Sequence, residues 1–452
     1  MSSSRDGVAL LAIVDSVVTQ ARSGEQVEAF VSRGGDTEVR VYQGEIEQFV
    51  SAQSEGIGIR IICNGRTGFA YAGTLDESAI AEVLTEARDN IQFGTIDEWA
   101  GLAESDGVAV TDQSLWNDEL AAFATDNKIQ LAKDLERLTL AVDNRVRVEH
   151  SSYSDAYGEA AVATTTGIRQ WGRENGCYVT VSTLADDGDE TQTGFGFSVG
   201  RTPTTLDPAR AAKEAADRAT RLLGAVKPGS KRTTVVLDPF VTAQFLSIIA
   251  STLNGEAVVK GRSLFQDRLG DSVAPSFVNL IDDPTNPLAY TATDVDGEGL
   301  AARRNGLIEG GVLRQFTHNS YSARRANTVS TGNAIRGGYA GTPGVGAMAL
   351  YLEPGLRSQA ELVAEIEDGL LVQSVSGIHS GVNAISGDFS TGAAGLMIRG
   401  GAIAEPVREF TIASTLQRML LDIVAVGNDV DWLPMRAAGV SLVIRDVTMS
   451  GA

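Results

Sequence analysis

Histidine and cysteine are scarce in this chain of 452 residues, with three of the first and two of the second. Cys63 and Cys177 form no CxxC pair and belong to no spaced set, which excludes zinc ribbons and disulfide-stapled scaffolds. His150, His318 and His379 each lack a histidine neighbour, so the paired-histidine helix of zinc hydrolases is missing. Three such ligands could meet only by converging from distant parts of the fold. Of the 37 basic residues only six are lysine, and against 58 acidic residues they leave a formal charge of −21. No run of Lys and Arg makes a basic stripe, so nucleic-acid binding is not expected.

Other absences narrow the chemistry. There is no Gly-Lys dipeptide and hence no P-loop. Gly56-Ile-Gly58 supplies the first two glycines of a dinucleotide fingerprint but continues as a strand. The GxSxG elbow is missing, and Ser380 directly follows His379; neighbours on a strand point to opposite faces, a poor arrangement for nucleophile and base. Asp294-Val-Asp-Gly-Glu-Gly299 resembles the start of a calcium loop without its downstream glutamate, and reads as an acidic turn. No stretch approaches the roughly 20 apolar residues of a membrane span. The first residues, MSSSRDGVALLAIVDSVV, have no basic region ahead of the apolar ones and no cleavage pattern, so a cytoplasmic protein is expected.

What is present is the composition of a globular protein, 43% hydrophobic and 21% charged, long enough for two or three domains. Apolar spacing predicts a helix over 8–23, then β-rich runs from Val27 to Ala72, with turns expected at Gly34-Gly35-Asp36, at Gly56 and at Asn64-Gly65. A helix over 75–90 closes this unit. A second unit repeats the plan, with a helix over 128–143, strands from Val146 to Val199 and an alanine-rich helix over 207–226. This hints at an internal duplication without a residue-level repeat. The segment Lys227-Pro-Gly-Ser-Lys-Arg-Thr is the boundary between domains 1–228 and 229–452. Beyond it come a buried strand, TTVVLDP, and a helix capped by Asp238 and Pro239. Glycine-rich short strands then run from Ser263 to Ala413, followed by a helix over 415–426 and a closing strand, SLVIRDVTMSG. The expected class is α+β: an N-terminal antiparallel sheet with flanking helices and a C-terminal, mostly-β domain.

Three long strings carry a family resemblance. Residues 379–429 (HSGVNAISGDFSTGAAGLMIRGG and onward), 294–325 with the following STGNAIR, and 41–87 from VYQGEIEQF resemble the TldD/PmbA family, the so-called modulators of DNA gyrase. The resemblance spans nearly the whole chain. It implies a cytoplasmic metalloprotease assembled from two related subunits. In the TldD type, a helix with two histidines and a glutamate and a C-terminal cysteine hold zinc. Here that helix is LDPFVTAQFLSIIASTLNGE, with Leu246, Ser247 and Ser251 at the ligand positions and no His, Cys, Asp or Glu after Asp238 until Glu256. Leucine has no donor atom and serine is a poor neutral ligand. The C-terminal cysteine is missing as well.

The chain thus resembles the TldE/PmbA-type subunit. Such a subunit has no catalytic or metal-binding residue of its own, and zinc is expected in a TldD-like partner. The resemblance further implies an unfolded peptide held as an extended strand against a glycine-rich wall. The expected wall residues are His318, Tyr321, His379, Ser380, Asn383, Ser386, Asp388 and Ser390. The rival expectations are a non-catalytic homodimeric binding protein of the same family, and independent catalysis at a metal shared by the three histidines.

Overall fold

The computed structural model describes residues 3–452. Its N-terminal half is built twice on one plan. The first unit comprises α1 (Ser3–Val18), β1 (Gln26–Tyr42), β2 (Glu45–Cys63), β3 (Arg66–Ala72) and α2 (Glu77–Asn90). After a connector with the single turn α3 (Asp118–Ala121), the second unit comprises α4 (Thr125–Leu140), β4 (Val146–Thr164), β5 (Arg169–Asp187), β6 (Glu190–Gly200) and α5 (Pro208–Thr220). Antiparallel pairing of β1 with β4 joins the units into one six-stranded sheet, β3-β2-β1-β4-β5-β6. The duplicated layout read from the sequence is therefore realised in the topology.

All four long helices cover the same face of this sheet, where odd-numbered strand positions such as Val27, Ala29, Val31, Ile57, Ile59 and Ile61 are fully buried. The alanine-rich helix has a local cause. In α5 the residues Ala211, Ala215 and Ala219 sit where a Cβ on Gly194 or Gly196 of β6 would strike the helix backbone. Small residues on both sides let helix and strand approach closely.

Two expected turns are strand interiors. β1 runs unbroken through Gly34-Gly35-Asp36 and β2 through Gly56, while the reversal between them falls at Gln43-Gly44, both with positive φ. The turn at Asn64-Gly65 lies where expected. Glycine inside a strand marks close approach of another group as readily as a turn.

The C-terminal half begins with β7 (Lys231–Leu237) and α6 (Pro239–Thr252), whose N-cap Asp238 accepts from the Phe240 amide. An insertion follows. It carries α7 (Gly255–Val259), β8 (Leu280–Asp282), β9 (Asn305–Glu309), β10 (Val312–Leu313), α8 (Ser320–Arg325), β11 (Ala334–Ile335), β12 (Gly344–Val345) and β13 (Leu350–Leu352). Four of these strands form the sheet β10-β9-β8-β13. After α9 (Gln359–Ala364) the main sheet resumes with β14 (Asp368–Ser376), the turn α10 (Ile378–Gly381), β15 (Asp388–Arg399), β16 (Ala402–Thr415), α11 (Leu416–Leu421), β17 (Ile423–Val426) and β18 (Leu442–Ser450).

This sheet runs β16-β15-β14-β7-β18-β17, and β16 also pairs with β18, so five of its strands close into a barrel. Val235, Leu237, Leu370, Val372, Leu442 and Ile444 are at most 1% exposed and belong to its core. The helix expected over 415–426 stops after six residues; Ile423–Val426 instead pairs with β18. Its β-branched residues suit an edge strand better than a second helical turn. Among the described residues no helix is long and apolar enough to cross a membrane.

Candidate functional site

Even-numbered positions of β1 and β2 around Glu28 and Gly58 face away from the helices, and several of them meet the insertion of the C-terminal half. That second face carries Glu28 and Arg60, 1% and 9% exposed, beside Gly56 and Gly58. Glu28 bridges two guanidiniums, accepting from Arg60 Nη2 at 2.7 Å and from Arg336 Nη2 at 2.6 Å. Burial pushes the Glu28 carboxyl up, but the two arginines outweigh it and hold it at about 2. Arg336 comes from the loop after β11, lies 4.4 Å from the centre of the Phe30 ring and donates to the carbonyls of Gly297 and Gly341. Tyr339 follows on the same loop and rests on β2, where a Cβ at Gly56 or Gly58 would collide with it. Those two glycines mark close approach of the other lobe.

Behind this contact lies a buried polar knot. The acidic turn expected at 294–299 is present: Asp296 accepts from the amides of Glu298, Leu300 and Ala334 at 2.9–3.0 Å. Burial, then the neighbouring charge of Glu298, holds the Asp296 carboxyl well above the usual carboxylate range. Glu298 accepts from both the amide and the hydroxyl of Ser320, at 2.9 and 2.6 Å. Fully buried Asp282 accepts from Met348 N, Ala349 N and Asn333 Nδ2. Sequence reasoning placed Glu298 in an acidic turn and singled out none of Glu28, Arg60, Asp282, Arg336 and Tyr339. The signal for the seam was the glycine pair in β2, read there as a turn and a failed dinucleotide fingerprint.

Two cavities open where the lobes meet. One, of about 570 Å³, lies between the exposed face of β1, β4 and β5 and the insertion segments 290–297 and 334–338. The other, about 550 Å³ and more polar, lies between Thr95–Gly101 and α7–α8, with Arg60, Glu256, Tyr321 and Arg325 in its wall.

The eight expected wall residues fall in two places. His318 and Tyr321 belong to the seam. His318 is 5% exposed, its Nδ1 lies 3.0 Å from Ser322 Oγ, and its ring abuts Gly255; burial pushes its pKa down to about 4. Tyr321 donates to Asp97 Oδ2 at 2.8 Å and borders the polar cavity. His379, Ser380, Asn383, Ser386, Asp388 and Ser390 are all exposed, on α10, the loop after it and the start of β15. Their bonds are local. Ser380 Oγ donates to Gly377 O, Asn383 Oδ1 accepts from Ile385 N and Ser386 N, and Ser386 Oγ donates to Asp388 Oδ2. His379 and Ser380 share a helical turn, not a strand. No hydrogen bond among the described residues links this loop to His318 or Tyr321.

The helix that would carry a metal is α6. Leu246 is fully buried in the barrel core, while Ser247 and Ser251 are exposed and donate only to Ala243 O and Ile248 O of their own helix. These side chains do not fit a metal centre. His150 lies on β4, far in sequence and topology from His318 and His379. Among the described residues no three His, Cys, Asp or Glu side chains are grouped closely enough to hold an ion.

Comparison with known proteins agrees along the whole chain. Family models for the PmbA/TldA metallopeptidase match in three parts: domain 1 over 27–91, the central domain over 118–223 and the C-terminal domain over 230–451. The metalloprotease PmbA of Escherichia coli O157:H7 is 28% identical over 92% of this chain and 91% of its own length. A PmbA homologue of Haemophilus influenzae is 25% identical over 93% and 91%. The crystal structure of TldE from Thermococcus kodakarensis has the same fold, with TM-score 0.89 at 23% identity over 98% of this chain and 99% of that one. A Thermotoga maritima protein described as a modulator of a DNA gyrase superposes equally well, with TM-score 0.89 at 25% identity over 97% and 99%. The chain belongs to the PmbA/TldD metallopeptidase family.

Proposed function

We propose that this chain is the metal-free, TldE/PmbA-like subunit of a cytoplasmic peptidase, paired with a TldD-like subunit that carries zinc. The observation that supports this reading is α6: where the family's metal helix would present imidazoles and a carboxylate, it presents one core leucine and two serines bonded to their own backbone. Amide hydrolysis at an activated water is then the partner's chemistry. The role of this chain is positional. It completes the enclosure around an unfolded peptide and offers backbone-exposing surfaces along which an extended strand can lie.

The test is to purify the chain alone, a TldD-type partner alone and the two together, and to follow cleavage of an unstructured peptide. The reading expects cleavage only when the partner is present, with a stable complex between the two. Cleavage by this chain alone, insensitive to added partner, would overturn it.

A further inference from the structure

The groove of about 570 Å³ has a floor whose composition follows from strand register. Pairing aligns Ser32, Ala160 and Gly172 in one row across β1, β4 and β5, and Ser54, Gly34, Gly158 and Glu174 in the next across β2, β1, β4 and β5. Six of these seven positions are glycine, alanine or serine. A Cβ built on Gly158 or Gly172 would meet nothing within 4 Å, and neither has a positive φ, so the space above them is left open by the fold. The groove's volume lies in the range of ligand sites.

Two further observations point to an occupant. First, β6 pairs with β5 only from Cys177 onward, so Arg169–Glu174 have β4 on one side and no strand on the other. Residues of both faces from Gln170 to Glu174 border the groove, so it opens onto that free edge. An unpaired edge offers alternating N–H and C=O groups to an added strand. Second, among the described residues two charges of the lining have no hydrogen bond or salt bridge: the Glu174 carboxylate, which Arg201 and Asp294 influence at longer range, and the Arg436 guanidinium, which Asp282 influences. The other charges are engaged. Arg33 pairs with Glu159, Arg173 lies over Trp116, Arg336 pairs with Glu28, Asp294 accepts from Gln113 N, and Asp296 accepts from three amides. The Glu174 side chain is open to solvent yet has protein mass around it; burial, with Asp294 adding to it, raises its pKa.

We infer that this groove binds an extended peptide segment along the free edge of β5, with a basic group of the peptide against Glu174 and a carboxylate or carbonyl of it toward Arg436. The small-residue floor admits the peptide backbone, and the two unpaired charges set its direction. This deepens the peptidase reading by placing a peptide-binding surface within this subunit's own lobes, and it needs neither partner nor metal.

The test is fluorescence anisotropy with the full chain alone and a dye-labelled, unstructured Gly/Ser peptide carrying one lysine, beside a twin with glutamine in its place. Gly158→Val and Gly172→Leu put side chains into the groove from positions where a Cβ meets nothing within 4 Å, and their melting temperatures show whether they are folded. Folded variants should bind at least about tenfold more weakly. Glu174→Gln should weaken the lysine peptide about three- to fivefold, the size of a solvent-accessible ion pair, and leave the glutamine twin unchanged. No binding by the wild type, or unchanged affinity in either folded groove variant, overturns the proposal. Equal effects of Glu174→Gln on both peptides overturn the charge contact. Because no cleavage is read, failure of the two-subunit reading would appear only in the partner assay.

Discussion

The two faces of the N-terminal sheet come from alternate residues of the same strands, yet they are built on different terms. The helix face is a uniform apolar layer in which Val31, Ile57, Ile59 and Ile61 are fully buried under α1 and α2. The opposite face carries glycines, serines, a buried carboxylate and a buried guanidinium, and it meets the other lobe through Arg336 and Tyr339. One side is held by apolar burial, the other by shape and charge. Period-two alternation lets one strand serve both ends.

The comparison breaks most sharply at Arg336. Arg336→Ala leaves Glu28 buried with only Arg60 as partner, and removing one member of a buried ionic cluster costs about 3–5 kcal/mol. Urea denaturation should show that loss; a change under about 1 kcal/mol would mean the charged face contributes no more than an ordinary surface. Gly58→Ala should be smaller, about 1–3 kcal/mol, because its Cβ would push Tyr339 off β2. Thermal melts should place it clearly below wild type, while Gly172→Ala, in open space, should melt within a degree or two of it.

A smaller effect should appear with pH. Folding lowers the His318 pKa from 6.5 to about 4, so its contribution is present above pH 6.5 and is lost as pH falls toward 4. Asp296 has the opposite sign. Its raised folded pKa gives stability that is full at low pH and lost as pH rises through that value. The two oppose one another in the wild type. His318→Gln removes one of them, so the variant's stability should fall as pH rises from 4 to 6.5 where the wild type is flatter. The smallest effect belongs to α6: Ser247→Ala and Ser251→Ala remove hydroxyls bonded only to their own helix, and each should change stability by less than about 0.5 kcal/mol. Cleavage by the two-subunit preparation should be unchanged.

The helix face was legible from the sequence, because its periodicity is strong and its residues are all apolar. The duplicated unit, the Asp238 cap, the acidic turn and the closing strand could be read for similar local reasons. The seam was not, because its signal is non-local. Gly34 and Gly56 read as turns when their neighbours in space are unknown; in the sheet, a Cβ on Gly34 would meet the backbone of β4 and one on Gly56 would meet Tyr339 of the other lobe. Barrel closure by β16 and β18 depends on partners nearly forty residues apart and left no periodic trace. Of the expected wall, the glycine-rich string around Asn383 and Asp388 lies at the surface, on the loop after α10 and the start of β15. Its distance from His318 in the bonding network could not be read from spacing along the chain.

Metal analysis of the purified two-chain complex shows where the zinc resides. One zinc is expected per pair of chains, and after the chains are separated the metal stays with the partner while this chain holds none in stoichiometric amount. Stoichiometric zinc on the isolated chain, accompanied by cleavage of the unstructured peptide, would contradict the two-subunit reading.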